Sequence, residues 1–220
     1  MIVKVIFTNP DNNIIPIVNQ KELNSYIHKC IGVNNEYHDA FSDYSISSIQ
    51  GGKLINNMLS FENSTPYIVI TSEDLNFIST IMMGIQNSNH NFFNMKFSKF
   101  EISDFVIGEY CDTIMTISPI LLKKNGYKIT FKNEEWVNVL TEQLKNKLKH
   151  KGIIDNTLHI KIRNPHRGKE KNIWVGEVFN PCSYLSLKVY GKKETRKVLY
   201  NMGFGNSTGS GFGTIKVYNE

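Results

Sequence analysis

Apolar residues recur along this chain with two periods, and the places where one gives way to the other mark its elements. Ile2 to Thr8 alternates β-branched residues and reads as a strand. Behind Asn19, placed to cap a helix, Leu23, Tyr26, Ile27, Cys30 and Ile31 fall at helical spacing, which puts Tyr26 on or beside the buried face. Tyr44 to Ile49 is strand-like, Gly51-Gly52 is a turn, Leu54 to Phe61 reads as a further strand and Tyr67 to Thr71 as a clear one. Ser72 then caps a second helix, with Glu73 and Asp74 in its first turn and Leu75, Ile78, Ile81, Met82 and Ile85 as its apolar stripe. Phe92 to Ile107 closes the unit as one long or two short strands. Strand, helix, two strands, helix and strand make the βαββαβ of the ferredoxin-like motif.

The second half repeats the scheme with additions. Thr113 to Leu122 and Tyr127 to Phe131 flank Asn125-Gly126, a pair suited to the two φ > 0 positions of a type I′ hairpin turn. That hairpin accounts for Lys124 to Phe131 better than an RNA-recognition-motif signature, whose spacing is broken here. A helix follows, capped by Asn133, with Glu134 and Glu135 in its first turn and Trp136, Val137, Leu140, Leu144 and Leu148 inward. Its lysine-rich end, Lys145 to Lys151, is stopped by Gly152. Strands at Thr157 to Arg163, Ile173 to Phe179 and Tyr184 to Tyr190 precede a basic helix, Lys192 to Asn201, and a last strand, Thr214 to Tyr218. The expected fold class is α+β: two tandem ferredoxin-like units, residues 1–109 and 110–220, joined near Gly108 to Cys111.

Composition narrows the function classes. Hydrophobic residues make up 40% of the 220 and aromatics 11%, ample for a buried core. No apolar run approaches the ~20 residues of a membrane span, and the first residues read as a strand rather than a secretory leader, so a cytoplasmic protein without a membrane partner is expected. Cys30, Cys111 and Cys182 are odd in number and form no Cys-x-x-Cys, which indicates neither a disulfide framework nor a zinc site. Charge is unevenly spread: residues 1–110 hold six Lys/Arg against eleven Asp/Glu (net −5), residues 111–220 nineteen against nine (net +10). Such polarity fits a polyanion held by the second half, or else a solvated lysine-rich face.

The densest motif is Gly203-Phe204-Gly205-Asn206-Ser207-Thr208-Gly209-Ser210-Gly211-Phe212-Gly213, in which N–H groups could approach a phosphate. A dinucleotide fingerprint follows a strand and opens a helix, whereas this loop follows a helix and enters a strand; a P-loop needs Gly-Lys-Ser/Thr, and no lysine lies between Lys197 and Lys216. A flexible linker fits poorly with the β-branched strand that follows at once. Two Gly-Phe-Gly triplets separated by five residues and followed by a short strand resemble the C-terminal signature of the CRISPR repeat-processing endoribonucleases, of the repeat-associated mysterious protein superfamily. Ile117-Ser118-Pro119-Ile120-Leu121 before the hairpin, Tyr190-Gly191 before the basic helix and Thr214-Ile215-Lys216-Val217 are similar too.

The resemblance implies a CRISPR-associated endoribonuclease that cuts precursor RNA within repeats, without metal or other cofactor. The partner implied is CRISPR repeat RNA or crRNA, and an effector complex or a homodimer is left open. It carries the catalytic role to His38, at the junction between the first helix and the next strand, where residues alone suggest a loop histidine bonded to Asp39 or Asp43. It also implies a first-helix tyrosine, for which Tyr26 stands unless it is core, and a lysine, for which Lys53 is the nearest candidate. His28 is the local rival, His159 reads as structural, and His166, between Arg163 and Arg167 and followed by Lys169, suits phosphate binding with catalysis as second choice. Lys192, Lys193, Arg196 and Lys197, with Gly203, Gly205, Gly211 and Gly213 and with Arg163, His166 and Arg167, form the expected RNA-binding set. A non-catalytic RNA-holding subunit of a CRISPR effector complex is the rival reading.

Overall fold

The structure, a computed structural model, describes residues 1–8, 14–17, 19–32, 37, 42–88 and 92–218. Its first unit contains β1 (Ile2–Thr8), β2 (Ile14–Pro16), α1 (Gln20–Ile31), β3 (Tyr44–Ile46), β4 (Lys53–Ile55), β5 (Met58–Ser60), β6 (Tyr67–Ser72), α2 (Leu75–Asn87) and β7 (Lys96–Ser103). Antiparallel pairing gives the order β3-β6-β1-β7, with Val3 opposite Ile70 and Val5 opposite Ile68. These residues are fully buried under α1 and α2, whose inward stripes Leu23, Ile27, Phe77, Ile78, Ile81 and Ile85 complete one core. Alternation leaves the other side of the sheet, with Lys4, Tyr67, Val69 and Glu101, turned away from the helices.

The second unit repeats this order with β8 (Cys111–Thr116), β9 (Leu122–Lys124), β10 (Tyr127–Ile129), α3 (Trp136–His150), β11 (His159–Ile162), β12 (Lys169–Val175), β13 (Val178–Tyr184), β14 (Ser186–Tyr190), α4 (Lys193–Met202) and β15 (Ile215–Tyr218). The sheet runs β11-β14-β8-β15, again with the first strand beside the third and the last. Ile114, Leu187, Val189 and Ile160 face Trp136, Leu140, Leu144, Leu199 and Tyr200 in a second core. Both halves are therefore ferredoxin-like, as the hydrophobic periods predict.

Differences from the sequence reading lie at turns and caps. The strand expected over 54–61 is a hairpin, β4 and β5, around Asn56 (φ 48°) and Asn57 (φ 61°), a residue type that tolerates the left-handed region better than most others bearing a Cβ. Likewise the strand expected over 173–179 straddles the turn between β12 and β13 at Gly176-Glu177. β8 stops at Thr116, ahead of Pro119, which has no N–H for a ladder. Asp74, not Ser72, caps α2: its carboxylate accepts from the amides of Asn76 (2.8 Å) and Phe77 (3.1 Å).

The helix layer of the second unit meets the first sheet. α4 buries Leu199 and Tyr200 in its own core, while its last turn touches the far side of the first sheet, where the Asn201 carbonyl accepts from Thr71 Oγ1 (2.8 Å) and Asn201 Oδ1 from the Met1 ammonium (2.9 Å). The following loop continues the contact: Thr208 Oγ1 donates to the Tyr44 carbonyl (3.0 Å), Gln20 Nε2 to that of Ser210 (2.7 Å), and Gly211 forms a parallel bridge with Ser47. Each such buried bond contributes about 1 kcal/mol net. What the seam leaves uncovered is a cleft of about 550 Å³ lined by Tyr67, Val69, Glu101, Phe105 and, from β15, Lys216.

Candidate nucleic-acid interface and catalytic residues

The proton-transfer candidates do not gather into one described cluster. His38 lies outside the described residues, as do Asp39 and His90. Tyr26 is 5% exposed and packs in the first core, its ring centroid 6.1 Å from that of Phe7 and 5.9 Å from that of Phe92. Burial pushes its hydroxyl well above the usual tyrosine range, with Cys30 adding to the effect. The helical stripe places it there for packing, and it also lines a hollow of about 320 Å³ with Lys21, Lys29 and Phe93. Lys53 is exposed at the start of β4. His28 is half-buried on α1, and His159 and His166 are exposed in the second unit.

Two lysines of α3's end that the sequence reading gave no role act on Asp43 from the second unit. Lys151 pairs with Asp43 across the seam, so the residues leading into β3 are tied to the end of α3. Lys147, 5% exposed, sits one position from Leu148 on α3's inward stripe, and its ammonium donates to the carbonyls of Gly203 (3.0 Å) and Met202 (3.4 Å) at the end of α4. Burial pushes it down to about 7, with the Asp43 carboxylate pulling the other way. A lysine at an apolar heptad-like position was the available signal; the partner carbonyls, 55 and 56 residues away, were not visible from it.

Two expectations for RNA contact are corrected. Arg196 is 0% exposed: it pairs with Asp112, and its guanidinium also donates to the carbonyls of Gly108 (2.8 Å), Glu109 (3.0 Å) and Gly191 (3.1 Å). Tyr200 Oη (2.8 Å) and the Gly108 amide (2.7 Å) complete the shell around Asp112. This arginine therefore fastens the inter-unit connection to α4, because a charge so buried requires full pairing. Gly203, Gly205, Gly211 and Gly213 are buried as well, and amides of their loop are already donated, Phe204 to Gly213, Gly213 to Pro119 and Asn206 to Leu121 (2.9, 2.9 and 2.7 Å). At Gly213, with φ 67°, a Cβ would collide with the Phe204 carbonyl. Glycine serves close packing here, against Ser45 and Gln20 of the first unit at Gly203 and Gly211 and within the second unit at Gly205 and Gly213.

The exposed members of the expected RNA-binding set lie in two places. Lys192, the residue that precedes α4, and Lys193 and Lys197 on the helix are exposed, Lys193 near Glu109 (3.8 Å). Arg163, His166 and Arg167 project around a 3₁₀ turn, Pro165–Arg167, where the two arginines share a hollow of about 300 Å³ with Lys169, Tyr184 and Tyr218. Among the described residues, no group of three or more His, Cys, Asp or Glu is placed to hold a metal ion, and no helix is long and apolar enough to cross a membrane.

Solved structures of the same architecture exist. One described as a CRISPR associated protein Cas6 superposes with a TM-score of 0.84 at 20% identity, covering 100% of this chain and 99% of the other. A RAMP protein described as binding different RNA substrates gives 0.87 at 19%, with 100% of each chain covered. The product of a Cas6-related gene from Pyrococcus furiosus gives 0.86 at 21%, covering 100% and 99%. No curated protein sequence matches the chain. The family model for CRISPR associated protein Cas6, C-terminal, matches residues 102–217, from the end of β7 into β15, and by that match the chain belongs to the Cas6 family.

Proposed function

We propose that this protein is a metal-independent endoribonuclease that cuts CRISPR precursor RNA within its repeats, leaving 2′,3′-cyclic phosphate and 5′-hydroxyl ends. Family membership over residues 102–217 carries the reading. RNA brings its own nucleophile: a 2′-hydroxyl attacks the adjacent phosphate in line once one group removes its proton and another protonates the departing 5′ oxygen. His38 is the proposed proton-transfer residue, since an imidazole titrates near neutrality. The tie from Asp43 to Lys151 supports a site at the seam, where the acidic first unit supplies proton transfer and the basic second unit holds the RNA. Lys192, Lys193 and Lys197 on α4 and Arg163, His166 and Arg167 at the 3₁₀ turn are the proposed phosphate contacts. Tyr26 is assigned to packing, and Lys53 stays a candidate for steadying the extra charge on the phosphate.

One relative is described only as binding RNA, which keeps a non-catalytic RNA holder as the second reading. Repeat RNA incubated with protein in EDTA separates the two, being cut at one position or only shifted on a gel. In His38→Ala the cleavage rate is expected to fall ~10²–10⁴-fold while binding persists. A repeat carrying a 2′-deoxy sugar at the scissile nucleotide should bind and stay whole; its cleavage, or arrest by chelator, would exclude the proposed mechanism.

A further inference from the structure

The side of the second sheet turned away from α3 and α4 interleaves lysines with aromatic rings. Register and alternation place three rows of residues there. Lys216 stands beside Met115 and Ser186; Tyr218 beside Thr113, Lys188 and Lys161; and Cys111 beside Tyr190 and His159. The four strands carry a single carboxylate, Asp112, and it points the other way into the pair with Arg196. Lysines on this face consequently have no acidic neighbour on their own strands.

Aromatic rings lie between the cations. His159 and Tyr190 stack face to face, centroids 4.4 Å apart and planes 2° from parallel, on the edge strand β11 and its neighbour. The Thr157 carbonyl fixes the imidazole by accepting from Nδ1 (2.9 Å). Lys161 lies 5.7 Å from the Tyr190 centroid and Lys216 5.3 Å from that of Tyr218, which is 39% exposed and opens into the hollow of Arg163 and Arg167. A solvated lysine face would account for the charges and leave the rings unexplained. Flat rings interleaved with cations are what a strand with exposed base faces needs, because bases stack on aromatics while phosphates seek the ammonium groups. A duplex hides those faces inside its own stack.

From this we infer that the face binds an unpaired stretch of RNA, its bases continuing the His159–Tyr190 stack and packing on Tyr218, its phosphates meeting Lys161, Lys188 and Lys216. The inference rests on the RNA reading above and adds that the substrate is held in part as a single strand.

The test is fluorescence anisotropy with a short labelled oligouridine. Blunt RNA duplex of equal length and unlabelled oligouridine serve as competitors. His159→Ala and Tyr218→Leu, each checked for fold by circular dichroism, are expected to weaken binding roughly 5- to 150-fold per lost stack. In Tyr218→Leu the slope of log K against log salt should not change, since no charge is removed. His159 is exposed on an edge strand, so its variant keeps the test sound if Tyr218→Leu misfolds. A pair that merely braces the strands would alter thermal stability and leave RNA affinity alone. Wild-type affinity in the folded variants, or a duplex that competes as well as the single strand, overturns the inference. Cleavage of repeat RNA is read separately. Ring-dependent binding without cleavage keeps this inference and removes the endoribonuclease, whereas no RNA binding at all removes both.

Discussion

The two ferredoxin-like units have the same strand order and turn opposite surfaces outward from it. On the first sheet Lys4 is held by Glu101 (3.1 Å) and lies over Tyr67 (4.6 Å to the centroid), Lys99 is paired to the same Glu101 (2.9 Å), and the end of α4 with the glycine loop covers the β3–β6 side. On the second sheet Lys161, Lys188 and Lys216 have no acidic strand neighbour, and rings take the places that α4 takes on the first. A shared topology fixes which side of a sheet is left without helices; the residues on that side set whether it docks a protein element or stays available to a polyanion. The net −5 and +10 of the two halves are the coarse image of that division of labour.

The comparison can be broken most forcefully at its joint. Arg196→Leu leaves Asp112 charged and unpaired in the interior, which should cost about 3–5 kcal/mol in urea denaturation. The folded fraction is expected to bind RNA with unchanged salt dependence. Wild-type stability together with a lost phosphate contact would return Arg196 to the RNA-binding set and undo the contrast. A smaller effect is expected at Lys147. Its folded pKa, about 7, is below the ordinary 10.5, so between those values the unfolded chain binds more protons and stability rises with pH, by at most about 1.4 kcal/mol per unit. Below about pH 7 the cost of the buried charge is fully present, and above 10.5 it has vanished. Lys147→Met should flatten this part of a stability–pH curve; an equal slope in both proteins would place the ammonium in contact with water. Smallest, and sharpest for the contrast, is a single charge on each sheet. Lys188→Ala should reduce the magnitude of the salt slope for single-stranded RNA by about 0.7, and Lys4→Ala should leave it alone. Equal effects would mean that the two open faces serve RNA alike.

Local signals read well wherever one residue type answers one backbone need. Asn125 and Gly126 at φ 50° and 83° form the expected hairpin turn, and the stripes of α1 and α2 face their core as their spacing requires. Gly176 and the pair Asn56-Asn57 carried the same kind of signal inside runs of strand-forming residues, where alternation masked it. Less of the site was legible. Lysines and histidines could be named and an uneven charge counted, but Lys192 and Lys193 on α4 look outward while Arg196 on the same helix is sealed against Asp112, 84 residues away.

By itself the sequence determined the two βαββαβ units, the Asn125-Gly126 turn and the excess of cations in the second half, because strand and helix periods, a turn dipeptide and net charge are properties of neighbouring residues. Only the tertiary structure decided that Arg196 and the double Gly-Phe-Gly loop hold the units together, that Lys147 is buried against the end of α4, and that Tyr190, His159, Tyr218 and three lysines share one open face. Those facts depend on which long-range partner reaches each side chain first, and on burial making an unpaired charge or amide too costly to leave, neither of which is written in the spacing of residues along the chain.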